Sequence, residues 1–398
     1  MQPEVLSGST HSQWSEVPIY PMLLRPEFHS RVWGGRRLAE VLKAHLPDGP
    51  IGESWSMSTN SLVLNGPLAG RALGPLVRAH PGALLGNRCL AENWTELPLL
   101  FKVLDAQDLL SVQVHPDDRY AREVEGMPFG KTEAWYTLDA EQGAYVIHGF
   151  ARPVTREEVQ AALAEGRDDR ILGMLRKVPL RRGDSLFVPA GTVHAIGGGL
   201  LLAEIQQNSD ITYRLYDWGR PREMHVKQGL AVMNCHPPSF SVSVPLEVRQ
   251  AGGTIRYLVA CRYFLFRELA VRGRLSPEPT GASGPDAPTH SQGGQSFHCL
   301  FCFEGAGLLL YTGAQGADAR FAFEQGQTIF VPAAIGPYTI EGECRLLNAT
   351  VPDLWHDVAK PLLNAGYGPG QIGALGGEPD NELARIAHRL VPPKSGRA

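Results

Sequence analysis

No segment of this 398-residue chain approaches the roughly 20 consecutive apolar residues of a membrane-spanning helix, so no membrane partner is expected. Basic charge is equally short. The 37 lysines and arginines stand against 41 acidic residues, a net charge of −4, with no basic stripe, and this argues against nucleic acid as a partner. The opening MQPEVLSGSTHSQWSEVP lacks the basic and apolar regions of a secretory signal. Cysteine is sparse: Cys89, Cys235, Cys261, Cys299, Cys302 and Cys344 are scattered, unlike a disulfide framework. Cys299 and Cys302 form a CxxC word, but inside the β-type run SFHCLFCFEG, where positions i and i+3 face opposite sides. With no second CxxC, neither zinc nor redox duty is expected there, and a reducing cytoplasm is the compartment implied. A Gly-rich phosphate loop is also missing, the triplet at 197–199 being weak evidence by itself.

What is abundant is punctuation. The chain has 44 glycines and 31 prolines, which suit many short strands joined by turns. Residues 1–19 read as a polar tail, and strands and turns run from Tyr20 to about Pro245. Helical interruptions are expected near 70–94 and over 155–175 with a break near Gly166. The second opens on a capping box, Thr155 to Glu158, followed by Val159, Ala162 and Leu163 at helical spacing.

An internal repeat decides the architecture. RGDSLFVPAGTVHAI (182–196) aligns without gaps with QGQTIFVPAAIGPYT (325–339), each a turn, a buried strand and a second turn. The fold class expected is mainly β: two tandem cupin or jelly-roll barrels with a few helices and no large helical domain. The first barrel is expected over 20–245 and the second over 246–355, with an exposed, disordered loop at 272–296. Residues 356–398 read as a tail holding one short helix in DNELARIAHRL.

Four polar side chains carry the chemistry: Gln113 and His115 in SVQVHPDD, Glu133 in FGKTEAW, and His194 in VPAGTVHAI. Gln113 and His115, two apart in a strand, share a face. Two imidazoles, a carboxylate and an amide oxygen, if they converge, make a mixed N/O site for Zn²⁺ or a neighbouring divalent ion. The plainer reading is a set of hydrogen-bonded core histidines and a solvated Lys131–Glu133 pair. In the second copy Pro337 aligns with His194 and no QxH or KxE word precedes it, so metal is expected in the first barrel only.

The longer words WGGRRL, GESW, LPLLFKVLDAQDLLSVQVHPDD, GKTEAW and VPAGTVHAIGGGLLLAEIQQNSDITYRLYDWGR resemble the type I mannose-6-phosphate isomerases. The likeness is to the shorter bacterial form, strong over 20–245 and weak over 246–352. It implies a zinc-dependent bicupin enzyme that interconverts mannose 6-phosphate and fructose 6-phosphate, with Gln113, His115, Glu133 and His194 as ligands. It also implies roles for Arg214, after the Ser209-Asp210 dipeptide, and for Lys131, Lys102 and Ser111. The chain departs from longer members in having Gly130-Lys131-Thr132-Glu133 where they have HKPE, and Asp118 where they often have lysine.

Aldose–ketose isomerisation through a cis-enediol needs charge stabilisation beside the two oxygens and a base that reaches C1 or C2. Lys131 and Glu204 are the candidate bases, with a phosphate or hydroxyl contact as the plainer role of the first and a buried brace that of the second. Arg214 stays protonated and so supports negative charge, on the enediolate or the phosphate. Lys102, Arg214 and Ser111 suffice as a phosphate receptor, with Arg220 more simply a surface ion pair. An iron dioxygenase would use more histidines, and a sugar-binding bicupin would not need this full set. The partner expected is a small sugar phosphate, and the assembly a monomer or homodimer.

Overall fold

The computed structural model describes residues 17–165, 168–277, 295–313 and 316–389. Most of the expected tail and most of the expected 272–296 loop lie outside those residues.

The first barrel is built from two sheets. One runs in the order Tyr213–Tyr216, Val112–Val114, His194–Ile196, Tyr145–Phe150, Leu175–Pro179. The other runs Glu27–Gly35, Ile51–Met57, Leu99–Ala106, Leu200–Gln207, Glu133–Ala140, Ser185–Val188. Leu99–Ala106 and Leu200–Gln207 are buried along their whole length, because both faces of this sheet are covered. Phe101, Val103, Ala203 and Ile205 point outward into a core shared with Phe266, Phe301 and Leu347 of the second barrel. Leu104, Leu200, Leu202 and Trp135 point inward. Lys102 and Glu204 share that inward face, as charges in otherwise apolar strands.

An eight-stranded sheet forms the second barrel, and it includes the first strand among the described residues. Met22–Leu24 pairs antiparallel with Thr328–Val331, so the two barrels interleave in sequence. The repeat appears as a repeated unit. Ser185–Val188 and Thr328–Val331 are four-residue strands at matching positions, preceded by Gly183 and Gly326 at φ of 90° and 91°. That left-handed turn is open to glycine at little cost. Cys299 packs into the core shared by the barrels and Cys302 into the second barrel's interior, the opposite faces the β reading demanded.

The helical interruptions occur as Leu73–Ala79, Pro81–Leu85 and Asn87–Ala91, and as Arg156–Ala164 with Asp168–Met174. Thr155 and Glu158 make the reciprocal capping box. Two expectations change. Residues 272–275 finish the strand Leu265–Leu275, where Arg272 and Arg274 face Glu343 and Glu341 across the ladder. Residues 354–389 hold Leu354–Ala359, Lys360–Asn364, Pro369–Ala374 and Glu382–Arg389, not one helix on a tail. Leu354, Val358, Leu362, Ile372, Leu375 and Leu383 from these segments complete the second barrel's core. Among the described residues no helix is long and apolar enough to cross a membrane.

Candidate metal centre and active site

The strand register assembles the site. His194 pairs with Gln113 on one side and His148 on the other, and Gln113 pairs in turn with Arg214, so the four lie in one row across the first sheet. His115 follows two residues after Gln113. From the facing sheet Glu133 enters at the start of its strand. His115, Glu133 and His194 bring one ligand atom each within 4.8 Å of one another, all three buried.

The fine structure fits a cation. His115 Nδ1 donates to Ile211 O at 2.8 Å and His194 Nδ1 to Thr192 O at 2.8 Å. Each backbone carbonyl fixes the tautomer that leaves an Nε2 lone pair facing the cluster. Both Glu133 oxygens are buried, and no backbone N–H or hydroxyl donates to them. One stands 3.3 Å from His194 Nε2 and the other 3.6 Å from His115 Nε2. Burial, then the charge of Lys131, drives the His115 pKa well below its ordinary value. Burial lowers His194 to about 4. Both imidazoles are therefore neutral at physiological pH, as ligation requires. Gln113 Nε2 lies 3.3 Å from His194 Nε2, and Ser111 Oγ donates to Gln113 Oε1 at 3.3 Å. A half-turn of the amide exchanges its nitrogen and oxygen and presents a donor atom suited to a metal.

Lys131 reaches the same point. Its Nζ is 2.9 Å from His115 Nε2 and 2.8 Å from Glu133 Oε2, so its ammonium supplies the positive charge that the buried carboxylate needs. A metal ion and this ammonium compete for the same lone pairs.

The remaining candidates divide. Glu204 is held on both oxygens, by Lys102 Nζ at 3.2 Å and by Trp135 Nε1 at 2.9 Å. Burial alone would lower Lys102, but Glu204, Glu53 and Glu133 more than offset it, and its pKa is raised. Lys102 is thus held as a cation, with Trp55 facing its ammonium, Nζ to ring centroid 5.3 Å. Arg214 sits in the ligand row, but its guanidinium turns to the following loop, where Nη1 donates to Glu223 O at 2.6 Å. Its Nε is buried without a hydrogen bond. Arg220 is tied to Asp108 at 2.8 Å and donates to Leu109 O at 2.7 Å, a bracing role. Glu53, Trp55 and Trp135 were missed as site residues. The signal for the first two was the alternation of IGESWSM, which sets Glu53 and Trp55 on one face, and Trp135 stands two after Glu133 in its strand.

Comparison with known proteins bears on the family and the fold. The sequence pattern of the phosphomannose isomerase type I catalytic domain matches residues 22–151, and that of the mannose-6-phosphate isomerase cupin domain matches 286–351. The mannose-6-phosphate isomerase ManA of Bacillus subtilis is 33% identical over 340 residues, covering 81% of this chain and 97% of its own. The mannose-6-phosphate isomerase of Streptococcus mutans is 37% identical over 270 residues, covering 65% and 82%. A crystal structure of the mannose 6-phosphate isomerase from Bacillus subtilis superimposes with a TM-score of 0.71 at 32% identity, covering 83% of this chain and 99% of that one. A phosphomannose isomerase structure from Salmonella typhimurium, at 20% identity and a TM-score of 0.64, shares the fold. By sequence over most of its length, and by fold, this chain belongs to the type I phosphomannose isomerase family.

Proposed function

We propose that the chain interconverts mannose 6-phosphate and fructose 6-phosphate at the first barrel, a reading supported by relatives named mannose-6-phosphate isomerases. The observation that carries this is the buried His115–Glu133–His194 cluster, with Gln113 in register beside it; Gln113, His115 and Glu133 lie inside the segment that matches the family's catalytic domain, and His194 joins them through its pairing with Gln113. Zn²⁺ held by these four residues would supply Lewis-acid stabilisation of negative charge on the substrate oxygens. A single carboxylate among the ligands leaves such a site net positive, which suits that task.

The chain's own side chains do the rest. As a neutral amine, its extra proton having gone to solvent once a bound ion would meet the charge of Glu133 in its place, Lys131 Nζ takes the proton from C2 of the open-chain aldose and returns it at C1, while the O2 hydroxyl proton passes to O1. The cis-enediol lies between these transfers. Glu204, engaged by Lys102 and Trp135, keeps the buried Lys102 cationic beneath the developing charge and does not act on carbon itself. Arg214, with donors left over from its contact to Glu223, receives the phosphate. Ser111 orients Gln113 through its hydrogen bond. All six cysteines are free, which suits a reducing cytoplasm.

The test is direct. The chelated protein should be inert toward fructose 6-phosphate, and the zinc-restored protein should form mannose 6-phosphate. A restored protein with its full metal complement and no turnover would sink the proposal.

A further inference from the structure

The three residues at 130–132, from which Lys131 and then Glu133 enter the barrel, have every backbone N–H engaged. Gly130 N donates to Asp118 Oδ1, Lys131 N to Pro116 O and Thr132 N to Gln207 Oε1, each at 2.9 Å. Gln207 is itself aimed by Asp118, whose Oδ1 accepts from Gln207 Nε2 at 2.8 Å. One carboxylate therefore organises two of the three anchors. A Cβ at Gly130 would lie 2.4 Å from the carbonyl carbon of Asp117, so the two segments touch with no slack. Asp118's other oxygen accepts from the Tyr263 hydroxyl at 3.0 Å. Tyr263 lies in the turn between Gly253–Ala260 and Leu265–Leu275 of the second barrel. A lysine carries a flexible four-carbon stem, so its tip is only as well placed as its root.

We propose that Asp118 and Tyr263 are positioning residues for the isomerisation. Through them the second barrel, which lacks the metal-binding words of the first, fixes the segment that presents Lys131 and Glu133. The inference rests on the reading of Lys131 and Glu133 as working groups. It also gives the departure at 118 a role: a lysine there could not accept from Gly130, Gln207 and Tyr263.

The experiment measures kcat, KM, zinc content and thermal midpoint for D118A, D118N, Y263F and the D118A/Y263F double variant, all as zinc-loaded full chains. D118A should lower kcat on the order of 10- to 100-fold, the scale of an error of about 1 Å in placement. Its KM should stay within roughly twofold and its zinc should be retained. Y263F should lower kcat about 3- to 10-fold, and should have no further effect in the D118A background, where the link is already cut. D118N should recover most of the rate, since its amide oxygen still accepts from Gly130 and Gln207 and its NH₂ donates to the Tyr263 oxygen. Wild-type kcat in both single variants would overturn the proposal. So would losses that simply add in the double variant, or losses that follow zinc content. Should D118A not fold, Y263F, which loses only a hydroxyl, decides the matter. Lys131→Met separates the underlying reading: if fully active it removes Lys131 as the base, while a slow D118A would leave the link acting through Glu133.

Discussion

Glu133 is a fully buried carboxylate to which no backbone N–H or hydroxyl donates, and such a group persists only beside a cation. In the metal-free chain Lys131 provides that charge. Lys131→Met should therefore destabilise the chelated protein by about 3 kcal/mol and leave the zinc-loaded protein near wild type. Calorimetry with and without chelator measures the gap, and equal losses in both forms would contradict the competition between ammonium and metal. Gln113→Ala should weaken zinc affinity on the order of 10- to 100-fold while the other three ligands remain, as a competition titration against a chelating dye would show. Glu53 gives the pH dependence. Burial alone would raise its pKa, but the charges of Lys102 and Arg31 and hydrogen bonds from Arg31 and Trp55 bring it from 4.5 down to about 2. A carboxylate depressed in this way stabilises the fold above its unfolded pKa, and that contribution fades as pH falls through the folded value. The stability gap between wild type and Glu53→Gln, on the order of 3 kcal/mol at neutral pH, should close between pH 4.5 and 2. Acid-unfolding curves that keep a constant gap across that window would refute the ion-pair account.

Single elements were legible where local chemistry dictates them. Thr155→Ala should cost about 1 kcal/mol, because the hydroxyl satisfies Glu158 N at the helix start. Turnover should not change, since this helix packs on the far side of the ligand-bearing strands from the metal cluster. The repeat was legible for a similar reason: a left-handed glycine, a buried strand and a proline recur at one spacing. The convergence of the four candidate ligand residues was legible because each lies in a short word whose alternation fixes its face. The C-terminal segments were not. They are helices of five to eight residues broken by glycines, and such pieces owe their stability to buried Leu354, Leu362 and Ile372 more than to intrinsic propensity. The Asp118–Tyr263 contact was hidden for a further reason, because it joins residues 145 apart that only the assembled fold brings together. Nor could spacing show that the Arg214 guanidinium turns toward Glu223.

At the scale of the molecule, the two barrels share a core and a buried charge network. Glu268 of the second barrel accepts from Tyr136 of the first at 3.1 Å and pairs with Arg345 at 2.7 Å and with Arg256. Glu268→Ala would leave Arg345 to Glu304 and Arg256 to Glu247, both at the partly exposed edge, and should cost about 1–3 kcal/mol; thermal unfolding should remain a single transition, because neither barrel covers its own aromatic face. Residues 246–389 produced alone should give neither dispersed amide resonances nor cooperative melting. They would lack Met22–Leu24 and expose Phe266, Phe301 and Phe330. The pairing of Met22–Leu24 with Thr328–Val331 also has a consequence for vectorial synthesis. Met22–Leu24 waits for Thr328–Val331 roughly 15 to 60 seconds at 5–20 residues per second. Throughout that interval one edge of this short apolar segment stays open, and the nascent chain depends on residues 62–65, which pair with the other edge, to keep it from straying.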